Sequence, residues 1–261
     1  MVNFNFSNVG KYATDLPSLY KKGCDTDILK DDVHRCESGL LHAREKIVLL
    51  GDSIGVQWFP AIDNIYGKQH AIVSYTKSAC TVVDKPIYYS KIGRIYDECE
   101  RWRNKVINNI IQESPSIIFM GSSVVNLSHD DWVSGLVSTI DKLNKTHAQI
   151  YILRPTPILS IHPMQCLKRE IWASQFVDVG ELCNSIKEMD EAKNNQIYAF
   201  LLEVKARYKN VHVLDMNDLI CNQGSCQLKK GEIVSYRDAQ HLTASFVATL
   251  SSKMSERINQ P

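Results

Sequence analysis

The stretch "KIVLLGDSIGVQWFPAI", residues 46–62, decides how the chain is read. An Ile/Val/Leu run stops at Gly51, Asp52 and Ser53 follow, and after Gly55 comes an amphipathic segment. Apolar run, glycine punctuation and helical period in succession spell a buried strand, a sharp turn and a helix. Ser53 sits at the turn and has two readings. It caps the helix that begins near Gly55, or it is a nucleophile held at a strand end, which requires a histidine and an acid from elsewhere in the chain.

The same strand–helix alternation recurs downstream. Short apolar runs rich in Ile and Val lie at 46–50, 71–75, 116–120, 150–153 and 211–214, as buried parallel strands require. Helical patterns separate or follow them at 56–66, about 96–113, 130–144, about 180–208 and 243–258. Five strands alternating with helices predict an α/β fold, a three-layer αβα sandwich around a five-stranded parallel sheet of flavodoxin-like type. In such sheets ligands bind outside the carboxyl ends of the strands, which puts Ser53 on the functional rim. Residues 1–44, polar and broken by Pro17, Gly23 and Gly39, are expected to be an irregular N-terminal extension or linker, and 45–261 the domain that carries the alternating elements.

Composition excludes several classes. With 44% hydrophobic and 23% charged residues and a formal net charge of +1, the 261-residue chain has the make-up of an ordinary globular protein. Its basic residues are scattered among acids, so no nucleic-acid footprint is present. No apolar run reaches the roughly 18 to 20 residues that span a bilayer. Eight cysteines fall as local couples, Cys24 with Cys36, Cys80 with Cys99, Cys166 with Cys183 and Cys221 with Cys226. The pattern suggests four short disulfide loops and an oxidising compartment, against the other reading of eight buried free thiols. Metal ligation is disfavoured, since no tight C-x-x-C couple or histidine at ligand spacing occurs. An oxidised protein must be exported, yet the first residues show no charged n-region and no apolar h-region. The expectation is therefore a removed signal, or a domain of a longer protein whose membrane part delivers it.

The histidine and acid that a nucleophilic Ser53 needs are both in "SYRDAQHLTASF", residues 235–246. Asp238 and His241 are three residues apart, ahead of a helix that Thr243 can cap. That spacing lets one loop present the carboxylate to one imidazole nitrogen and leave the other for Ser53. Each residue alone reads more simply, Ser53 as a cap and His241 as a structural histidine; their shared place on one rim of the sheet favours the catalytic reading. "GDSIG" also fits the G-x-S-x-G nucleophile elbow, but that fold places its serine in mid-chain with acid and histidine on separate loops.

Gly51-Asp52-Ser53 together with Asp238-Ala239-Gln240-His241-Leu242 resembles the first and last sequence blocks of the SGNH (GDSL-type) hydrolases. More narrowly, the chain resembles the SGNH domain fused to the C-terminus of membrane-bound acyltransferase-3 proteins, which O-acetylate bacterial surface glycans. "LLGDS" followed by Trp58, Cys80 with Cys99, "RPTPI" leading to Cys166 and "LICNQGSCQLKKGEIVSYRDAQHL" carry this narrower likeness, over roughly residues 24–250. The resemblance implies a periplasmic domain of an inner-membrane protein, with Ser53, His241 and Asp238 as the triad of an acyl transfer through a serine ester. It implies a glycan acceptor such as lipopolysaccharide O-antigen, no cofactor bound in this domain, and an acyltransferase-3 membrane domain in the same chain that supplies acetyl groups, ultimately from acetyl-CoA. An acetylesterase and a non-catalytic glycan-binding module are the alternatives.

The middle blocks depart from the family. SGNH enzymes generally carry a glycine after the second strand and G-x-N-D after the third, whose backbone N–H and Asn side chain join the serine N–H in the oxyanion hole. Here the loops read "SYTKSAC" (74–80) and "FMGSSVVNLS" (119–128), with Ser123 where Asn is expected. Backbone donors around Ser78 and Ala79, or Asn126 from three residues further on, are the candidates; Asn126 is equally read as a surface-loop residue. A hole short of a donor suits a transferase better than a general hydrolase. Trp58, Trp102, Trp132 and Trp172 are read as core rather than sugar platforms. Arg154 is read as a structural ion-pair residue, and Lys229-Lys230 as a solvated turn.

Overall fold

The computed structural model describes residues 6–177 and 182–260. The five expected strands form, as β3 (Lys46–Gly51), β4 (Ala71–Lys77), β5 (Ile117–Gly121), β6 (Gln149–Leu153) and β7 (Val211–Leu214). They pair in parallel in the order β4-β3-β5-β6-β7, with Leu50 opposite Met120 and Met120 opposite Ile152. The strand order reverses at β3, so the crevice at the carboxyl ends of β3 and β5 is where such a sheet takes its ligand.

Burial on both faces explains the unbroken apolar runs. Ile47 and Leu49 point into one core with Phe119, Val247 and Met254, whereas Val48 and Leu50 point into the other with Val106, Ile118 and Leu136. Each of these side chains is 1% exposed or less and contributes about 1.5–3 kcal/mol on leaving water. After a short N-terminal helix, α1 (Phe6–Ala13), the covering helices are α2 (Ser53–Val56), α3 (Phe59–Tyr66), α4 (Asp97–Glu113), α5 (His129–Leu143), α6 (Pro163–Ala173), α7 (Glu191–Lys205), α8 (Ala244–Thr249) and α9 (Ser251–Ile258).

Several expectations need correction. The sheet has seven strands, not five: β2 (Cys36–Gly39) runs antiparallel along residues 71–74 of β4, and β1 (Asp25–Thr26) runs parallel along Thr76 and Lys77. The segment read as an irregular extension thus covers the outer edge of β4, whose backbone groups would otherwise lack partners. Strands of two and four residues are too short to show a period, which is why the sequence hides them. The long helix expected over about 180–208 is shorter: α7 begins at Glu191, Ser185–Lys187 is a strand paired with Ser225–Gln227, and 178–181 lie outside the described residues. Lys229 is not solvated but buried against Glu170.

All eight cysteines are paired, Cys24–Cys36, Cys80–Cys99, Cys166–Cys183 and Cys221–Cys226. Trp58, Trp102 and Trp132 are core residues as expected, but Trp172 is not: it is exposed and lies against the ring of Phe176. Arg154 pairs with Asp215 at 2.8 Å. Among the described residues no helix is long and apolar enough to cross a membrane.

Candidate active site

β3 ends at Gly51, and α2 starts two residues later. The chain turns this sharply because glycines let α2 lie on the end of β5. A Cβ at Gly51 would stand 1.9 Å from the Gly121 carbonyl oxygen, and one at Gly55 2.8 Å from it. Asp52, not Ser53, caps α2: its Oδ1 accepts the Ile54 N–H at 2.8 Å. Capping therefore does not occupy the Ser53 hydroxyl. Ser53 Oγ lies 2.8 Å from His241 Nε2 across 188 positions of sequence.

On its far side the imidazole meets Asp238, with Nδ1 2.8 Å from Oδ2 and 2.9 Å from Oδ1. The backbone N–H groups of Gln240 and His241 also donate to Asp238 Oδ1, each at 2.9 Å, so the loop is closed on its own carboxylate. Burial pushes this carboxyl upward, but the hydrogen bond and charge of His241, the Gln240 N–H and the charge of Arg237 prevail and hold it at about 2. Asp238 is thus ionised at neutral pH. It accepts from Nδ1–H, which leaves Nε2 as acceptor for the Ser53 O–H. Thr243 caps α8 through the Phe246 N–H at 3.2 Å.

The proposed oxyanion donors are placed unevenly. Ser78 gives its N–H to Thr26 and its hydroxyl to Asp25, and Cys80 gives its N–H to Lys77. Between them Ala79 has φ 55°, the left-handed conformation that favours glycine, at the place where the hydrolase pattern has glycine. Ser123 gives both N–H and hydroxyl to Asp52 Oδ2. Asn126 is exposed. Asp52 itself is fully buried; burial raises its carboxyl, and the Ser123 and Ile54 donors oppose that rise.

Sequence reasoning missed the contribution of the N-terminal arm. The Asp15 carbonyl accepts the Ala244 N–H and its carboxylate the Ser245 N–H, directly after the histidine loop. Tyr20 lies under the Arg237 guanidinium at 5.9 Å, and Arg237 stands 3.3 Å from Asp238. Arg237 is inside the quoted motif and open to notice there; the arm contacts join residues more than 200 positions apart and leave no local signal.

The arrangement can move a proton between a serine hydroxyl and an imidazole next to an ionised carboxylate, which is the requirement for acyl transfer. No curated protein matches the sequence. Among solved structures, the periplasmic domain of the Salmonella ser. Paratyphi A lipopolysaccharide acetyltransferase superposes with a TM-score of 0.67, at 16% identity over 98% of each chain. An acetyl xylan esterase reaches a TM-score of 0.48 at 11% identity over 81% of this chain and 98% of its own, too distant to bear on the argument. The first likeness establishes a common fold. A family model described as "SGNH domain (fused to AT3 domains)" matches residues 23–256, and the chain belongs to that family.

Proposed function

We propose that residues 45–261 form an O-acetyltransferase domain that passes an acetyl group through a Ser53 ester to a hydroxyl of a bacterial surface glycan, such as lipopolysaccharide O-antigen. The observation that supports this most is the hydrogen-bonded chain Ser53–His241–Asp238 on the rim of an SGNH-family sheet. Ser53 Oγ attacks the acetyl carbonyl while His241 Nε2 takes the hydroxyl proton. The imidazolium returns that proton to the departing group, and the acetyl remains on Ser53. A glycan hydroxyl then gives its proton to the same nitrogen and attacks the ester; the Ser53–acetyl bond breaks, the imidazolium returns the proton to Ser53 Oγ, and the glycan leaves acetylated. Asp238 stabilises the imidazolium in both halves.

The oxyanion is assigned to two backbone donors. Ser53 holds the first position of α2, where the N–H has no partner within the helix. The second is Ala79, whose neighbours on either side donate elsewhere. Stabilisation of this kind needs a backbone N–H and no particular side chain. The acetyl donor is assigned to an AT3-type membrane domain in the same full-length chain, in accord with the family description, and the site to the periplasmic side, in accord with four disulfides. With water in place of the sugar hydroxyl the same residues make an acetylesterase.

Cleavage of a chromogenic acetyl ester by the wild type and by Ser53→Ala tests the serine mechanism, with folding of both checked by circular dichroism. A loss of about three orders of magnitude or more is expected. Equal rates in the two proteins would remove Ser53 from the chemistry. Mass spectrometry of a surface polysaccharide incubated with the acetyl ester then separates transfer from hydrolysis.

A further inference from the structure

Gln57 follows Ser53 by four residues and is 1% exposed. Its backbone N–H closes α2 on the Ser53 carbonyl at 3.2 Å. Its side chain reaches two other segments. Oε1 accepts the Leu242 N–H at 2.9 Å, and Nε2 donates to Thr156 Oγ1. Leu242 is the residue after His241 and is 0% exposed; Thr156, 3% exposed, stands on the loop that follows β6.

We infer that Gln57 is a positioning residue for the Ser53–His241 pair, an inference that rests on the serine mechanism proposed above. Apart from the Ser53–His241 bond itself, no other hydrogen bond among the described residues joins α2 to 236–242. The histidine loop is fastened to the β6 loop by Leu159 N–H to Ala239 O at 2.7 Å and by Tyr236 O–H to Pro157 O at 2.9 Å. Those bonds fix loop against loop. Among the described residues Gln57 alone is hydrogen-bonded to both loops and to the helix that carries the nucleophile. The position needs an amide, because donor and acceptor are required at once in a place closed to water. Leucine there would leave the Leu242 N–H without an acceptor, and an ionised glutamate would set a negative charge against the histidine loop. Proton transfer tolerates little misplacement, so the effect of Gln57 falls on turnover rather than on substrate binding.

The test uses a fluorophosphonate, which labels an activated serine whatever the natural substrate. Labelling rates from pH 5 to 9 are compared for wild type, Ser53→Ala, Gln57→Leu and Gln57→Glu, with near-UV circular dichroism as the check of folding. Ser53→Ala is expected to remain unlabelled, and Gln57→Leu to label about tenfold or more slowly at every pH. Saturation of the labelling rate with reagent concentration separates reagent affinity from the bond-forming step: Gln57→Leu is expected to lower the maximal rate and leave the half-saturating concentration unchanged. Loss of a merely structural contact would not split the two in this way. A wild-type maximal rate in folded Gln57→Leu overturns the inference. Should Gln57→Leu not fold, the maximal rate of the near-isosteric Gln57→Glu, which has no donor for Thr156, decides in the same sense. Wild type labelled no faster than Ser53→Ala signals instead that the serine mechanism has failed, and the positioning role falls with it.

Discussion

Ser123 gives both its N–H and its hydroxyl to one oxygen of the Asp52 carboxylate, at 2.8 and 2.5 Å. Asp52 in turn caps the turn of helix that presents Ser53. The residue found where the family pattern has asparagine thus supports the nucleophile's helix from beneath. Ser123→Ala withdraws one of three donors from a fully buried carboxylate and is expected to destabilise the fold by about 1–3 kcal/mol. Urea denaturation measures it; an unchanged midpoint would show that the hydroxyl bond contributes nothing.

Ala79 holds a left-handed backbone conformation at φ 55°. Glycine adopts that conformation without Cβ strain, although it also loosens the unfolded chain. The strain term is the larger, so Ala79→Gly is expected to stabilise the protein by about 0.5–1 kcal/mol. A β-branched residue has the opposite effect, and Ala79→Val should lower the melting temperature. Thermal unfolding of the two variants side by side checks the pair of signs.

Acid should unfold the domain over a defined window. Asp84 sits among Lys142, Ser138 and Arg103, and Glu113 among Arg35 and Lys46. Burial opposes ionisation of Asp84, and the Arg35 hydrogen bond leads the effects on Glu113; both carboxyls, like Asp238, end at about 2. Their folded values lie below the unfolded ones near 4, so the unfolded chain binds more protons on acidification. Their contribution is complete above about pH 4 and disappears as pH falls toward about 2. Stability measured by denaturant at successive pH values should fall across that interval, and a flat curve there would contradict the assignment.

The Cys24–Cys36 bond ties β1 to β2, the two strands that cover the edge of β4. A crosslink over 12 residues restricts the unfolded chain by about 3 kcal/mol. The double variant Cys24→Ser/Cys36→Ser is expected to lose about that much stability in guanidinium. Its Asp15 and Tyr20 contacts should loosen as well, visible as faster amide exchange at Ala244 and Ser245. Wild-type exchange at both amides would show that the arm is held without the disulfide.

Much of the fold and of the candidate site was legible before any coordinates. Burial on both faces of a parallel sheet demands unbroken Ile/Val runs, so the five parallel strands at 46–50, 71–75, 116–120, 150–153 and 211–214 announce themselves, and with them the sandwich. Ser53 at the first strand end and Asp238 with His241 on one loop follow from spacing alone, because the last two are three residues apart. The tertiary structure decided what spacing cannot carry. The division of labour between Asp52 as cap and Ser53 as hydroxyl partner of His241 depends on a contact across 188 residues. The engagement of Ser78 with Thr26 and Asp25, and of Ser123 with Asp52, depends on which strands lie side by side. The wrapping of residues 15–39 around the sheet edge and the histidine loop uses strands too short to have a period. Local sequence records the period of a buried face and the chemistry of a turn. Which donors remain for a ligand is fixed only when distant segments have chosen their hydrogen-bond partners, since nearly every buried backbone group takes one.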